Sequence, residues 1–130
     1  MIVDSSALLA ILLDEPEGER FKFHLATTPG DHVMSPINYL EAAIRVDPLP
    51  VPGKAQELDP LIAALEVRVV PTTAEQAYLA REAYRRFGKG SHPARLNLGD
   101  CFAYALSKAR QEPLLFKGDD FRHTDVEPAF

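Results

Sequence analysis

Four short apolar runs, "MIVD" at 1–4, "DHVMS" at 31–35, "VRVV" at 67–70 and "PLLF" at 113–116, punctuate a chain whose other segments read as helices. Short buried strands separated by helical stretches describe βαβ units, because parallel strands need a long crossover and a sheet covered on both faces. The sequence therefore predicts an α/β fold with a central parallel sheet flanked by helices on both faces. In such open sheets, ligands bind beyond the carboxyl ends of the strands. Those ends are where chemistry is to be sought.

The helical segments carry their own punctuation. Asp4, Ser5 and Ser6 supply N-cap chemistry for a helix from Ala7 to Leu13. "EPEGERFKFHLA" reads as a second helix with Pro16 near its start. Ser35 and Pro36 open "PINYLEAAIRV", which Asp47-Pro48 ends. "AQELDPLIAAL" is helical, with Pro60 placed to break or restart it, and Thr73 caps "AEQAYLAREAYRRF" up to Gly88. "HPARLNLG" is a loop, "CFAYALSKA" a buried helix entered at Asp100, "KGDDF" a turn, and "TDV" a final short strand. The proline-rich "PLPVPG" is a surface connection within one domain, residues 1–130.

The chain of 130 residues, 46% apolar and 25% charged, has the composition of an ordinary globular domain. No run reaches the roughly 20 apolar residues of a membrane span. The N-terminus lacks a basic n-region, and Asp4 interrupts its apolar stretch, so no signal peptide is expected. A lone cysteine excludes an internal disulfide and fits a reducing compartment. The expectation is a cytoplasmic protein with no membrane partner.

Acids gather at the predicted strand ends. Asp4 closes the first strand, Asp119 and Asp120 follow the last, and Asp100 opens a helix that begins at the same sheet edge. Glu41 interrupts an otherwise apolar helical stretch. Singly, each has a structural explanation as a cap, a turn residue or a solvated side chain. Together they need neutralising: like charges about 4 Å apart repel by roughly 4 kcal/mol at an effective dielectric near 20. Domain stability is only about 5–15 kcal/mol. An all-oxygen set of this kind suits Mg²⁺ or Mn²⁺. The four histidines lack zinc-site spacing, and Cys101 reads as a small core residue.

The formal net charge of −5 hides a local basic segment. "REAYRRFGKGSHPAR" carries Arg81, Arg85, Arg86, Lys89 and Arg95 against the single acid Glu82. Such a strip is either a solvated helix face or a phosphate-binding surface. An acidic metal cluster beside it points to a phosphodiester substrate.

Four segments, "MIVDSSALLAIL", "LEAAI", "RFGKGSHPARLNLGDCFAYALSKA" and "PLLFKGDDFRHTDV", resemble the PIN-domain nucleases, and more narrowly the VapC toxins of toxin–antitoxin pairs. The likeness runs in order through nearly the whole chain. It implies a PIN-like fold and a Mg²⁺- or Mn²⁺-dependent ribonuclease, held silent by a VapB-type antitoxin and commonly a homodimer. The family's acidic set falls on Asp4, Glu41 and Asp100. Its fourth acid falls on Asp119 or Asp120, with Asp119 preferred for the metal and Asp120 for a supporting role. Ser6 matches a hydroxyl residue that supports the first acid, and Asn97 is placed to hold the loop orienting Asp100. The proline-bearing "VDPLPVPGKAQELDP" departs from the longer helical arm of relatives. Two other readings stand beside this one: a PIN-like module that binds RNA or protein without cutting, and an aspartyl phosphotransferase or receiver-type domain in which Lys117 joins the acids.

Overall fold

A computed structural model describes residues 1–130. Four strands, β1 (Ile2–Val3), β2 (His32–Met34), β3 (Val67–Val69) and β4 (Leu114–Leu115), form one all-parallel sheet in the order β3-β2-β1-β4. The connections from β1 through β3 step outward in one direction. The connection to β4 then returns past them to β1's other edge. The order reverses between β1 and β4, and that crevice is the switch point at which α/β sheets bind ligands.

Alternation along these short strands divides the core in two. Val3, Met34, Val67 and Leu115 join a cluster with α1 (Ser5–Leu12), α2 (Gly18–Thr27), α3 (Pro36–Val46) and α4 (Lys54–Ala64). Ile2, Val33, Leu114 and Phe116 face the opposite way, into a second cluster with α5 (Ala74–Phe87) and α6 (Leu98–Arg110). Both faces are therefore covered, as the unbroken apolar character of the strands predicts. None of the helices is long and apolar enough to cross a membrane.

Helix boundaries follow the capping chemistry. Asp4 caps α1, Ser35 caps α3 with Pro36 behind it, and Thr73 caps α5. Gly18 opens α2 because a Cβ there would run into the Ala10 carbonyl, so α2 can pack directly on α1. Pro60 does not break α4. The helix continues through it, and Gln56, whose carbonyl loses a partner, is exposed and can bond water instead.

Two expectations are corrected at the C-terminal end. "TDV" is not a strand. The chain makes a 3₁₀ turn at Asp120–His123, and Thr124 then receives Val126 N–H through its hydroxyl. The additional pairing comes later, where Pro128 bridges Leu114. Asp100 does not begin α6 either: Asn97 is the N-cap and Asp100 stands three residues into the helix.

Candidate active site

Asp4 leaves the carboxyl end of β1, its amide still bonded to Leu115 C=O of β4 at 3.0 Å. Its carboxylate is only 2% exposed. Oδ2 accepts from Ser6 N–H at 3.0 Å and from the Ser6 hydroxyl at 2.6 Å. The Ser6 hydroxyl in turn accepts from Lys117 N–H at 3.0 Å, so β1 and the segment after β4 meet through it. Oδ1 is buried with no partner at all. A buried carboxylate oxygen without a donor is costly.

Asp100 reaches the same crevice from α6. Its backbone N–H donates to Asn97 Oδ1 at 2.9 Å, while its Oδ2 accepts from Asn97 N–H at 3.1 Å. This reciprocal capping box ties Asn97 and Asp100 together at the start of α6. The acid is both a cap and a member of the cluster, using one oxygen for the former.

Glu41 arrives from α3 and is held by residues that the sequence did not single out. Its Oε1 accepts from Ser5 Oγ at 3.0 Å and from Asn38 Nδ2 at 2.9 Å. Asn38 is completely buried, and its Nδ2 also donates to Gly99 C=O at 3.0 Å. One amide thus fastens α3 to the first turn of α6. Gly99 lacks a side chain for a steric reason, since a Cβ there would overlap the Glu41 carboxyl group. Nothing in "PINYLEAAI" marks Asn38 as different from a surface asparagine. The glycine just before an acid is the one available signal.

The charges feel one another. Burial chiefly, with Glu41's charge adding and the Ser6 hydrogen bonds opposing, lifts the Asp4 carboxyl to about 6. Burial again leads for Asp100, followed by the charge of Asp4 and, more weakly, those of Glu41 and Asp120, raising it to about 7 against the Asn97 N–H bond. Of the two adjacent acids after β4, it is Asp120 whose field reaches Asp100. Both acids are exposed, and Asp119 immediately precedes the 3₁₀ turn that begins at Asp120.

No ion pair in the molecule involves Asp4, Glu41, Asp100 or Asp120. The lysine after β4 does not enter. Lys117 Nζ pairs with Glu15 and, at 3.4 Å, with Glu17, which removes the arrangement a receiver-type domain requires. Cys101 is buried and its thiol is pushed up to about 11, by burial first and then by Asp100, so it is no nucleophile.

No three Asp, Glu, His or Cys side chains converge on a single point. The acids form an open, charge-coupled crevice rather than a closed cage. That arrangement fits a small hard cation, which takes one or two carboxylates directly and keeps several waters. The unpartnered Asp4 oxygen and the all-oxygen donor set both meet its requirements. They do not meet those of zinc.

The five basic residues divide among different surroundings. On α5, Arg86 lies about 140° around the helix from Arg81. It is turned to Asp125 at 3.7 Å and the Tyr104 hydroxyl at 3.5 Å. Arg85 lies 4.0 Å from Glu82. Arg81 and Lys89 line a cleft between α5 and α6, and neither side chain has an ion-pair partner. Arg95 is exposed in the loop before α6 with a left-handed backbone.

A family model described as PIN domain matches residues 1–127. Ribonuclease VapC30 of Mycobacterium tuberculosis is 47% identical over 128 residues, covering 97% of this chain and 95% of the relative. Two solved structures share the fold. One is VapC20 of Mycobacterium tuberculosis, described as a sarcin-ricin loop cleaving toxin, with a TM-score of 0.75, 17% identity and coverage of 98% of each chain. The other belongs to a toxin–antitoxin complex from Klebsiella pneumoniae, with a TM-score of 0.68, 18% identity, and coverage of 99% of this chain and 97% of that one.

Proposed function

Since the chain belongs to the PIN-domain family, we propose that its acidic crevice hydrolyses RNA phosphodiester bonds with Mg²⁺ or Mn²⁺ and that the protein is a VapC-type toxin. The likeness of nearly the whole chain to a curated VapC ribonuclease supports the substrate class. The observation that carries the reading is a buried carboxylate with an unpartnered oxygen, coupled to two other acids at the sheet's switch point with no cation beside them.

Asp4 and Asp100 are the residues that would hold the ion, with Glu41 and Asp120 acting through bound water. A bound Mg²⁺ or Mn²⁺ would lower the pKa of a water and polarise the phosphoryl oxygen. The chain's own work is positioning. Ser6 keeps one Asp4 oxygen occupied so that the other points into the crevice. The capping box does the same for Asp100, and Ser5 and Asn38 hold Glu41 at the first turn of α6. Acids with carboxyl groups lifted to about 6 and 7 are partly protonated at neutral pH. Cation binding and RNA cleavage should therefore both improve as pH rises through that range.

An acidic crevice with open access is also a site for a basic inhibitor. A VapB-type antitoxin that places an arginine among Asp4, Glu41 and Asp100 would neutralise the same charges the cation does. A homodimer and a cytoplasmic location belong to this reading as well.

Purified protein freed of any antitoxin, incubated with Mn²⁺ and both structured and single-stranded RNA, should cut at least one of them. Asp100→Asn should cut neither. Intact RNA in every wild-type reaction would refute the ribonuclease reading.

A further inference from the structure

The cleft between α5 and α6 has a volume of about 610 Å³ and lies at the end of α6 that carries Asp100. Its floor is apolar, with Cys101 and Phe102, and its edge includes Tyr84 and Leu98, which are 50% and 72% exposed. A large aromatic left half in water ordinarily rotates freely. Here it is held. The Tyr84 hydroxyl donates to Lys89 C=O at 3.3 Å, and Gly88 leaves room for the ring, because a Cβ there would meet it at 2.9 Å. The result is a fixed ring bordering a cleft.

Two cations flank that ring. Arg81 lies one turn earlier on α5 and Lys89 just beyond its end, and both are exposed and unneutralised in a chain of net charge −5. The other two arginines of α5's last two turns are engaged by Glu82 and Asp125. From Arg81 to Lys89, the two cations without an acidic partner are the two at the cleft, a pattern that seeks external anions.

Resting on the ribonuclease reading, the geometry points to a nucleobase subsite: an unpaired base of single-stranded RNA stacks on Tyr84 against Leu98, while Arg81 and Lys89 take flanking phosphates. Flat rings suit an apolar cleft bordered by an aromatic face, and stacking of this kind is tolerant of base identity. The charge pattern of phosphate, base, phosphate matches cation, ring, cation. Asn97 and Leu98 belong to both the cleft and the turn that presents Asp100, so a strand lying here runs toward the acids. An acidic peptide would satisfy the cations, but a nucleic-acid strand inherently alternates anion, flat ring and anion as this edge alternates cation, ring and cation.

The test is binding in EDTA, where no cleavage occurs, using short single-stranded RNAs with 2-aminopurine at successive positions. One position should lose fluorescence with wild-type protein and with Tyr84→Phe but not with Tyr84→Ala. Tyr84→Ala should bind about tenfold more weakly. An abasic residue at that position should weaken wild-type binding by a similar factor and leave Tyr84→Ala unaffected. Equal penalties for the abasic RNA in wild type and Tyr84→Ala would overturn the subsite. So would Tyr84→Ala weakening capture of the cognate antitoxin while RNA affinity stays unchanged, since the occupant is then protein. Cleavage with Mn²⁺ is scored separately: coupling without cleavage retains the subsite and sinks the ribonuclease reading, and cleavage without coupling does the reverse.

Discussion

Replacing Asp4 with asparagine should make the metal-free protein more stable. The carboxyl is 2% exposed and is carried from 3.8 to about 6, chiefly by burial. At about 1.36 kcal/mol per pH unit, that displacement corresponds to roughly 3 kcal/mol against the folded state once the acid is ionised. The asparagine oxygen can accept both Ser6 bonds, while its amide would sit where Oδ1 now lacks a partner. Leaving that amide incompletely bonded costs on the order of 1 kcal/mol, so the expected net gain at pH 7 is about 2 kcal/mol. For a chain of this length, each kcal/mol moves the melting temperature by about 4 °C. Melting in EDTA at pH 7 should therefore rise by roughly 8 °C in Asp4→Asn. The direction with pH follows from proton binding. The folded carboxyl keeps its proton up to about pH 6, whereas the unfolded one loses it near 4, so unfolding free energy falls as pH rises across that window. Asp100 extends the fall to about 7. Wild-type protein should gain stability on acidification from pH 7 to 5, and Asp4→Asn should gain less, keeping the share that burial of Asp100 contributes. Added Mn²⁺ should raise the wild-type melting temperature and leave the variant's nearly unchanged. If Asp4→Asn melts at or below wild type in EDTA at pH 7, and wild type is flat between pH 7 and 5, no uncompensated charge is buried there.

Asp100→Asn keeps an oxygen for the Asn97 amide, so its capping box should be retained and its melting temperature in EDTA kept or raised while RNA cleavage disappears. A melting temperature several degrees lower would mean that its charge serves mainly the helix dipole. Gly99→Ala drives a methyl group into the Glu41 carboxyl and should lower stability by about 1–3 kcal/mol, with a larger loss of cleavage than an exposed control substitution of the same destabilisation. Urea unfolding beside a cleavage assay separates the two effects. Arg86→Ala should leave RNA affinity within about twofold of wild type at low salt, because the side chain is committed to Asp125. Arg81→Ala should weaken binding and reduce its salt dependence, as loss of one phosphate contact requires. Equal losses at the two arginines, measured by anisotropy over a salt series, would contradict the division of the basic strip.

Much of the fold is legible in the sequence because its elements are short apolar runs bracketed by capping residues. "MIVDSS" and "MSPIN" announce a strand ending and a helix starting within three residues, and both do. The tail resisted because its pairing runs through Pro128, which propensity never assigns to a sheet, and because the 3₁₀ turn at Asp120–His123 shifts the residues after it out of line with the sheet. At the crevice, Asp4, Glu41 and Asp100 were visible as acids in apolar settings. Asn38 was not, since an amide on an amphipathic helix looks the same whether it faces water or is buried. Its role depends on Gly99, 61 residues away. On the basic strip, adjacency in sequence groups Arg86 with Arg81 and Arg85, whereas the 3.6-residue turn sets Arg86 about 140° from Arg81 and leaves Arg85 only about 40° away.

The return of β4 to the open edge of β1 also sets a schedule. A ribosome delivers the chain from its N-terminus, and domains take shape as units while they emerge. Asp4 and Glu41 leave early, on β1 and α3, but Asp100 and the strand that completes β1's second edge come from the last third. Until residues beyond Leu115 are free of the exit tunnel, Asp4 has no β4 behind it, its Ser6 has no Lys117 amide to receive, and Glu41 has no α6 turn to rest against. A truncated product ending before α6 would hold half of the acids and none of the frame that gathers them. The crevice forms only once α6 and β4 have emerged, and before that a nascent chain lacks the frame that gathers its acids.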